Sequence, residues 1–376
     1  MPDTRPLRIL RVVIGLNQGG VQQAVLNLFK GLDKSRFQPI ACAIENSGAI
    51  GEEIRAAGFE VITLGYRRQP LRTILALARI MRERRIDIVH ASSYHPSFYA
   101  RIAALLARVP VLISHEHVVF DHKRLQRVLL NKLLAPATDG FIAVGNAVAQ
   151  QVLGWYGYPA QKVQVIHNGV DTARFVPPQS RAEAKLKLGL DPQRMAVGMI
   201  CRLDHEKGHR FFFDAVRALD GRYAIQWLVV GTGRGEHRIR HEAEERGVSG
   251  VVQFLGLRRD VPDLLAALDI YVLPTLQEGF PNSLLEAMAA GCAVVASDFP
   301  GNLELVHHEQ NGLVAPMGDS GALTACIEKL LAHEDLRMRL GAEARRHVES
   351  TFSIENNVKK TENFYERLWR ERRAAR

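Results

Sequence analysis

The chain has 376 residues and a net charge of +9, with 47% hydrophobic and 24% charged residues. That balance belongs to a soluble globular protein of two or three domains, and excludes a disordered chain, a collagen and a small disulfide-stapled fold. The excess charge lies wholly in residues 1–175, which hold 22 basic and 12 acidic side chains, so this half suits an anionic partner such as a nucleic acid, a phosphorylated substrate or an acidic membrane surface.

In chain order, short apolar runs at 7–15, 37–44, 60–64, 86–91, 109–114 and 140–144 read as strands. Amphipathic stretches at 21–32, 71–84, 98–107 and 124–134 read as helices between them. The pattern restarts after Asn168-Gly169-Val170-Asp171, with Pro177-Pro178 as a break. Strands are then expected at 195–201, 225–230, 251–255, 270–273 and 293–297, and helices at 210–219, 236–246, 283–290 and 321–333. A final helix is expected over 354–376. Alternation of this kind gives βαβ units and parallel sheets. The expectation is therefore two Rossmann-like, doubly wound domains, 1–170 and 171–355, facing an interdomain cleft. The helix at about 356–376 packs back on the first.

No apolar run approaches the about 18 residues of a membrane-spanning helix. Arg11 interrupts the only apolar stretch near the N-terminus, which does not read as a signal peptide. Cys42, Cys201, Cys292 and Cys326 are far apart in apolar runs, and read as buried small hydrophobes in a reducing cytosol.

Ligands of open α/β sheets bind beyond the carboxyl ends of the strands, so the loops there carry the chemistry. Gln18-Gly19-Gly20 ends the first strand just before a helix, where paired glycines admit a phosphate or sugar to the backbone. A ligand-free tight turn is the competing reading. His115-Glu116-His117 follows the fifth strand. A histidine there can donate to a sugar hydroxyl or assist proton transfer. The plainer reading packs one ring on the sheet edge and leaves the other solvated. His-x-His alone supplies two metal ligands, and no third stands at a diagnostic spacing.

In the second domain, Arg202 ends a strand and Lys207 precedes a helix. A fixed guanidinium and an ammonium converging at a helix start suit a diphosphate, though two surface cations are common. Gly231-Thr232-Gly233 resembles a dinucleotide fingerprint, but Glu236 replaces its third glycine, so the turn reads as lining a nucleotide pocket. Phe254-Leu255-Gly256 borders the same region, with Arg258 just beyond. Then come Glu278-Gly279-Phe280-Pro281-Asn282-Ser283-Leu284 and Glu286. A helix starting near Ser283 would offer its N-terminal amides to a diphosphate. Glu286 in its first turn could accept two ribose hydroxyls, and Glu278 could hold donor-sugar hydroxyls. Against that, Ser283-x-x-Glu286 is also a capping box needing no ligand.

Taken in order, these residues resemble glycosyltransferase family 4, a retaining family with the two-domain GT-B fold. The resemblance also rests on Val165-Ile166-His167-Asn168-Gly169-Val170-Asp171, on Pro300-Gly301-Asn302-Leu303-Glu304-Leu305 and on Asn311-Gly312-Leu313-Val314-Ala315-Pro316. It implies a nucleotide-sugar donor, UDP- or GDP-linked, in the C-terminal domain and a glycan or lipid-linked acceptor at the N-terminal one. It implies catalytic roles for Arg202 and Lys207 on the diphosphate, for Glu278 on the sugar, and for His117, or His115, on the sugar and acceptor. Donor binding falls to Gly19, Gly20, Gly231, Leu255, Arg258, Gly279, Phe280, Asn282, Ser283, Leu284 and Glu286. No cofactor or metal is expected, and no nucleic acid. An anionic membrane surface is a candidate partner for the basic stretches around 71–80 and 125–134, which would place the enzyme in the cytoplasm, on the inner membrane face. The rival readings are a nucleotide-sugar epimerase or hydrolase of the same fold, a basic nucleic-acid binder, for which no recognition motif is present, and a nicotinamide oxidoreductase, weakened by Glu236.

Overall fold

The computed structural model describes residues 5–17, 19–120, 123–175 and 180–374. Gln18 and Pro177-Pro178 lie outside the described residues. The chain divides into two compact units: Met1–Gly169 with Ile354–Arg376, and Val170–Ser353.

The first unit carries seven strands: β1 (Leu7–Val13), β2 (Phe37–Ala43), β3 (Glu60–Thr63), β4 (Ile88–Ser92), β5 (Val111–Glu116), β6 (Gly140–Ala143) and β7 (Val163–Val165). Their order is β3-β2-β1-β4-β5-β6-β7, and every pairing is parallel. Between them run α1 (Gly20–Gly31), α2 (Gly48–Ala56), α3 (Pro70–Glu83), α4 (Tyr94–Ala107), α5 (Leu125–Leu134) and α6 (Asn146–Tyr156). α4 begins four residues before the expected 98, because Pro96 falls in the first turn, where its missing N–H leaves no bond unmade.

The second unit opens with α7 (Arg181–Lys187), followed by β8 (Met195–Ile200), α8 (His209–Leu219), β9 (Ile225–Val230) and α9 (Glu236–Glu245). Then come β10 (Val252–Gly256), α10 (Val261–Ala267), β11 (Ile270–Leu273), α11 (Asn282–Ala289) and β12 (Ala293–Ser297). α12 (Pro300–Leu303), β13 (Leu313–Ala315), α13 (Ser320–Ala332) and α14 (Glu334–Thr351) complete it. The sheet order is β10-β9-β8-β11-β12-β13, again parallel. Strands this buried on both faces read as continuous apolar runs rather than alternating ones. Trp227, Phe212 and Phe213 are fully buried in its core.

The last helix, α15 (Ile354–Ala374), belongs to the first unit. Its Val358, Phe364, Tyr365 and Leu368 pack into one core with Leu7, Ile9, Phe37 and Ile113. Asn357 donates to the His167 carbonyl at 2.5 Å, and Glu362 accepts from the Asp33 amide at 2.8 Å.

Candidate active site

In the second unit β8 lies beside β11, with β9 and β10 to one side and β12 and β13 to the other. This is the switch point of the sheet, and the loops leaving β8 and β11 carry its chemistry. The two loops are tied together. The Leu276 amide and the Thr275 hydroxyl both donate to the Glu206 carbonyl, at 2.7 and 2.8 Å. Gly208 has φ +72, and a Cβ there would stand 1.9 Å from the Pro274 carbonyl oxygen. That closeness seats Lys207, only 8% exposed, so that its ammonium donates to the Glu278 carboxylate. A buried ammonium is tolerated only when paired.

Beside this pair, burial pushes the Cys201 thiol up to about 12. Burial and the Lys207 charge bring His209 down to about 4, so it is neutral. Lys207 and Glu278 therefore meet no second full charge from these two neighbours.

Gly231 joins the next two strand ends. Its φ is +134, its amide donates to the Gly256 carbonyl at 2.8 Å, and a Cβ would meet the Cys201 carbonyl at 1.9 Å. Leu255, one residue before, is partly buried. Arg258 is held within its own loop, its Nε donating to Asp260 at 2.8 Å.

Three expectations are corrected here. Arg202 is not a fixed partner of Lys207: its side chain is 75% exposed and pairs with Asp204, two residues on. The capping box of Ser283 and Glu286 does not form. α11 starts at Asn282 after Pro281, without a side-chain cap, and the Ser283 hydroxyl lies 2.8 Å from that of Tyr271, which donates to the Ile200 carbonyl at 3.1 Å. Glu286 thus falls in the second turn of α11, not the first. Its carboxylate makes no hydrogen bond or ion pair among the described residues, and burial pushes it up to about 7, against the pull of Arg174. Such a group is an acceptor open to hydroxyl donors.

Phe280 and Leu284 are buried, the Phe280 ring packing on Phe352 at 5.7 Å. Phe280 and Leu284 can therefore serve a ligand only through their backbones, which stand in line with those of Gly279, Asn282 and Ser283. These backbones stand at the positive end of α11.

In the first unit, Gly19 precedes α1 in extended conformation, with no side-chain cap. The third correction concerns the histidines at the end of β5. Neither is solvated: His115 is 8% and His117 7% exposed, and their rings stack at 3.9 Å. His117 Nε2 lies 3.1 Å from Ser92 Oγ. Burial, then the Arg11 charge, lowers His117 to about 3. It is a neutral donor and acceptor. The sequence reading noted Arg11 only as a break in an apolar run and missed His90; the two are Cα partners across β1 and β4 in largely apolar, buried strands. A polar residue inside such a run was the available signal. Among the described residues no cluster of three or more His, Cys, Asp or Glu is placed to hold a metal ion. No described helix is long and apolar enough to cross a membrane.

Residues 18–174 match the family model described as Glycosyltransferase Family 4, and residues 180–347 the model described as Glycosyl transferases group 1. EpsF of Bacillus subtilis (strain 168), named as a glycosyltransferase, is 30% identical over 304 residues, 77% of this chain and 79% of its own. The chain belongs to glycosyltransferase family 4. It is also similar to the UDP-Gal:alpha-D-GlcNAc-diphosphoundecaprenol alpha-1,3-galactosyltransferase of Escherichia coli, 27% identical over 364 residues, 92% of this chain and 93% of that one. The solved structure of Anabaena Alr3699/HepE in complex with UDP and glucose aligns with a TM-score of 0.82 and 21% identity, covering 96% of this chain and 99% of that one. The fold is the GT-B fold of two Rossmann-like domains, and the protein is a glycosyltransferase.

Proposed function

We propose that this glycosyltransferase is a retaining, metal-independent hexosyltransferase that moves a sugar from a UDP- or GDP-linked donor to a hydroxyl of a glycan or lipid-linked acceptor. The setting is cell-surface polysaccharide or glycolipid synthesis. The observation that carries the reading is the Lys207–Glu278 pair at the β8/β11 switch point, beside the uncapped start of α11. The Escherichia coli relative is named for a nucleotide-sugar donor and a diphospho-lipid acceptor, which supports the same class.

On this reading the C-terminal unit binds the donor and the N-terminal unit the acceptor. Breaking the sugar–phosphate bond builds positive charge on the ring and negative charge on the departing diphosphate. Lys207, the positive end of α11 and the exposed Arg202 stabilise the second; Glu278 orients the sugar hydroxyls. Glu286 accepts the ribose hydroxyls, which repays its burial. Gly19, Gly20 and His117, in the N-terminal unit, serve the acceptor. The acceptor attacks on the face the diphosphate leaves, and a phosphate oxygen takes its proton. A thermal-shift screen with UDP, GDP, ADP and their sugars tests the donor class by linkage. One nucleotide should raise Tm selectively, and Glu286→Gln should shrink that rise. No selective rise would refute the reading.

The same reading places the enzyme in the cytoplasm, on the inner face of the membrane. Leu125, Leu129 and Leu133 of α5 are 70%, 56% and 75% exposed, one helical turn apart, while Val128, Asn131 and Leu134 face inward. Exposed Lys123, Arg124 and Lys132 flank this stripe. An amphipathic face of leucines bordered by cations suits an anionic bilayer, where each fully buried leucine is worth about 2 kcal/mol. The protein is expected to float with anionic vesicles at low salt, and a Leu129→Glu/Leu133→Glu variant to stay behind. Failure of the unaltered protein to float would remove the membrane from the account.

A further inference from the structure

Arg127, in the first turn of α5, stands between two aromatic rings. Its guanidinium carbon lies 3.6 Å from the centre of the Phe120 ring and 4.9 Å from that of Tyr94. Both rings stand beyond the carboxyl ends of strands: Tyr94 opens α4 after β4, and Phe120 follows β5. The Gln151 side chain of α6 pins the Phe120 backbone, accepting from its amide and donating to its carbonyl, each at 2.8 Å. The rim where ligands of such a sheet bind thus carries a guanidinium held in one plane.

Stacking occupies the faces of the guanidinium and leaves its edge, with five N–H donors, for hydrogen bonds. The donors of Arg127 make no hydrogen bond or ion pair among the described residues. Nε is buried without a partner, and the side chain as a whole is only partly buried. Buried Glu116 does not pair with it; burial pushes that carboxyl up to about 7, against the His117 amide, Arg127 and Arg101. The surroundings add to the imbalance. Exposed Lys123 and Arg124 precede α5, its first turn has no acidic residue, and no side chain caps it. Cations at the positive end of a helix oppose its dipole. The fold alone gains nothing from three of them there, whereas an anion held by Arg127 offsets the repulsion and engages the idle donors.

We propose that Arg127 is a specificity-determining residue for the acceptor, the edge of its guanidinium gripping a phosphate group that the acceptor carries. A phosphate suits the place better than a carboxylate, because three cations exceed a single negative charge. The inference deepens the transferase reading and rests on it only for calling the ligand an acceptor. Arg127 belongs to none of the segments on which the family resemblance rests. The same helix exposes Leu125, Leu129 and Leu133, so a prenyl chain attached to that phosphate would find apolar surface beside it.

NMR of the Nε–H groups in protein labelled with 15N-arginine reads the site directly. Arg127→Met keeps an unbranched chain between the rings and identifies the Arg127 signal by its absence. Geranyl diphosphate and inorganic pyrophosphate should each move that signal saturably, and geraniol should leave it in place. Calorimetry in a Lys207→Ala background, which disables the diphosphate grip of the second unit, gives the affinities. There Arg127→Met should weaken geranyl diphosphate binding by about 10- to 100-fold, as for lost hydrogen bonds to a charged group. Arg127→Lys, which keeps the charge without the planar fork, should lose less. Tm should match in both, and with transfer running, Arg127→Met should raise KM for a phosphate-bearing acceptor but not for the donor. Tighter binding of geranyl diphosphate than of pyrophosphate places the phosphate on a lipid-linked acceptor, and equal binding on a soluble one; both support the site. A stationary Arg127 signal with either phosphate, an equal response to geraniol, or undiminished affinity in Arg127→Met would overturn the proposal. Absence of transfer from every nucleotide sugar would instead sink the transferase reading, and the titration would still judge the anion site by itself.

Discussion

Replacing Lys207 by alanine is expected to lower turnover by about 100-fold or more, about 2.7 kcal/mol of transition-state stabilisation. The reason lies in how the lysine is placed. Its ammonium is buried by the tie between the β8 and β11 loops and, among the described residues, is matched by Glu278 alone. A departing diphosphate would find a donor already desolvated and oriented. Arg202, three-quarters exposed and paired with Asp204, has neither property, so Arg202→Ala should cost less than Lys207→Ala. Removing the lysine also leaves the Glu278 carboxylate without its partner. The double variant Lys207→Ala/Glu278→Gln separates the two effects: recovered Tm with unrecovered turnover is the expected outcome. Steady-state rates near those of the unaltered enzyme in Lys207→Ala would refute the assignment.

The second large effect is structural. Gly231→Ala forces a methyl group to within 1.9 Å of the Cys201 carbonyl at φ +134, and neither the backbone oxygen nor the dihedral can yield cheaply. Strain and overpacking together are expected to cost roughly 2–4 kcal/mol. Tm should fall on the order of 5–15 °C for a unit of this size. Because Gly231 joins β8 to β10, nucleotide binding should weaken beyond what the loss of stability explains. Gly154→Ala is the control. Its Cβ meets nothing within 4 Å, it lies inside α6, and the exchange should add about 0.5–1 kcal/mol. A Gly231→Ala protein that melts like the unaltered one would show that the close approach is not needed.

The strands were the most legible part of the chain. β9, β11 and β12 begin and end where the apolar runs at 225–230, 270–273 and 293–297 do, because strands buried on both faces need apolar residues at every position. What stayed hidden had weaker patterns. α2 carries two glycines and a polar middle, β7 and β13 are three residues long, and α14 shows a thin stripe of Leu340, Ala344 and Val348 among charges. None of these offers enough periodicity to stand out.

The candidate site divides the same way. Lys207, Gly231 and Glu278 stood out because they occupy loops after strands, and Glu286 because it lies in the helix that follows such a loop. The competing capping reading of Glu286 failed for a reason no local pattern contains: Tyr271, twelve residues before Ser283, takes that hydroxyl. His90 and Tyr365, 275 residues apart, meet only in the folded unit. Arg11 was visible as a charge in an apolar run, yet its partner could not be read from spacing.

The return of α15 to the first unit also orders events at the ribosome. Strands β1 to β7 emerge first, but Val358, Phe364, Tyr365 and Leu368, which close the core over Ile9, Phe37 and Ile113, are translated only after all of Val170–Ser353. Domains generally fold as units while synthesis proceeds. The later-encoded, uninterrupted unit can therefore finish first, and the earlier-encoded one must wait with an apolar flank uncovered, a period in which chaperones have their opportunity.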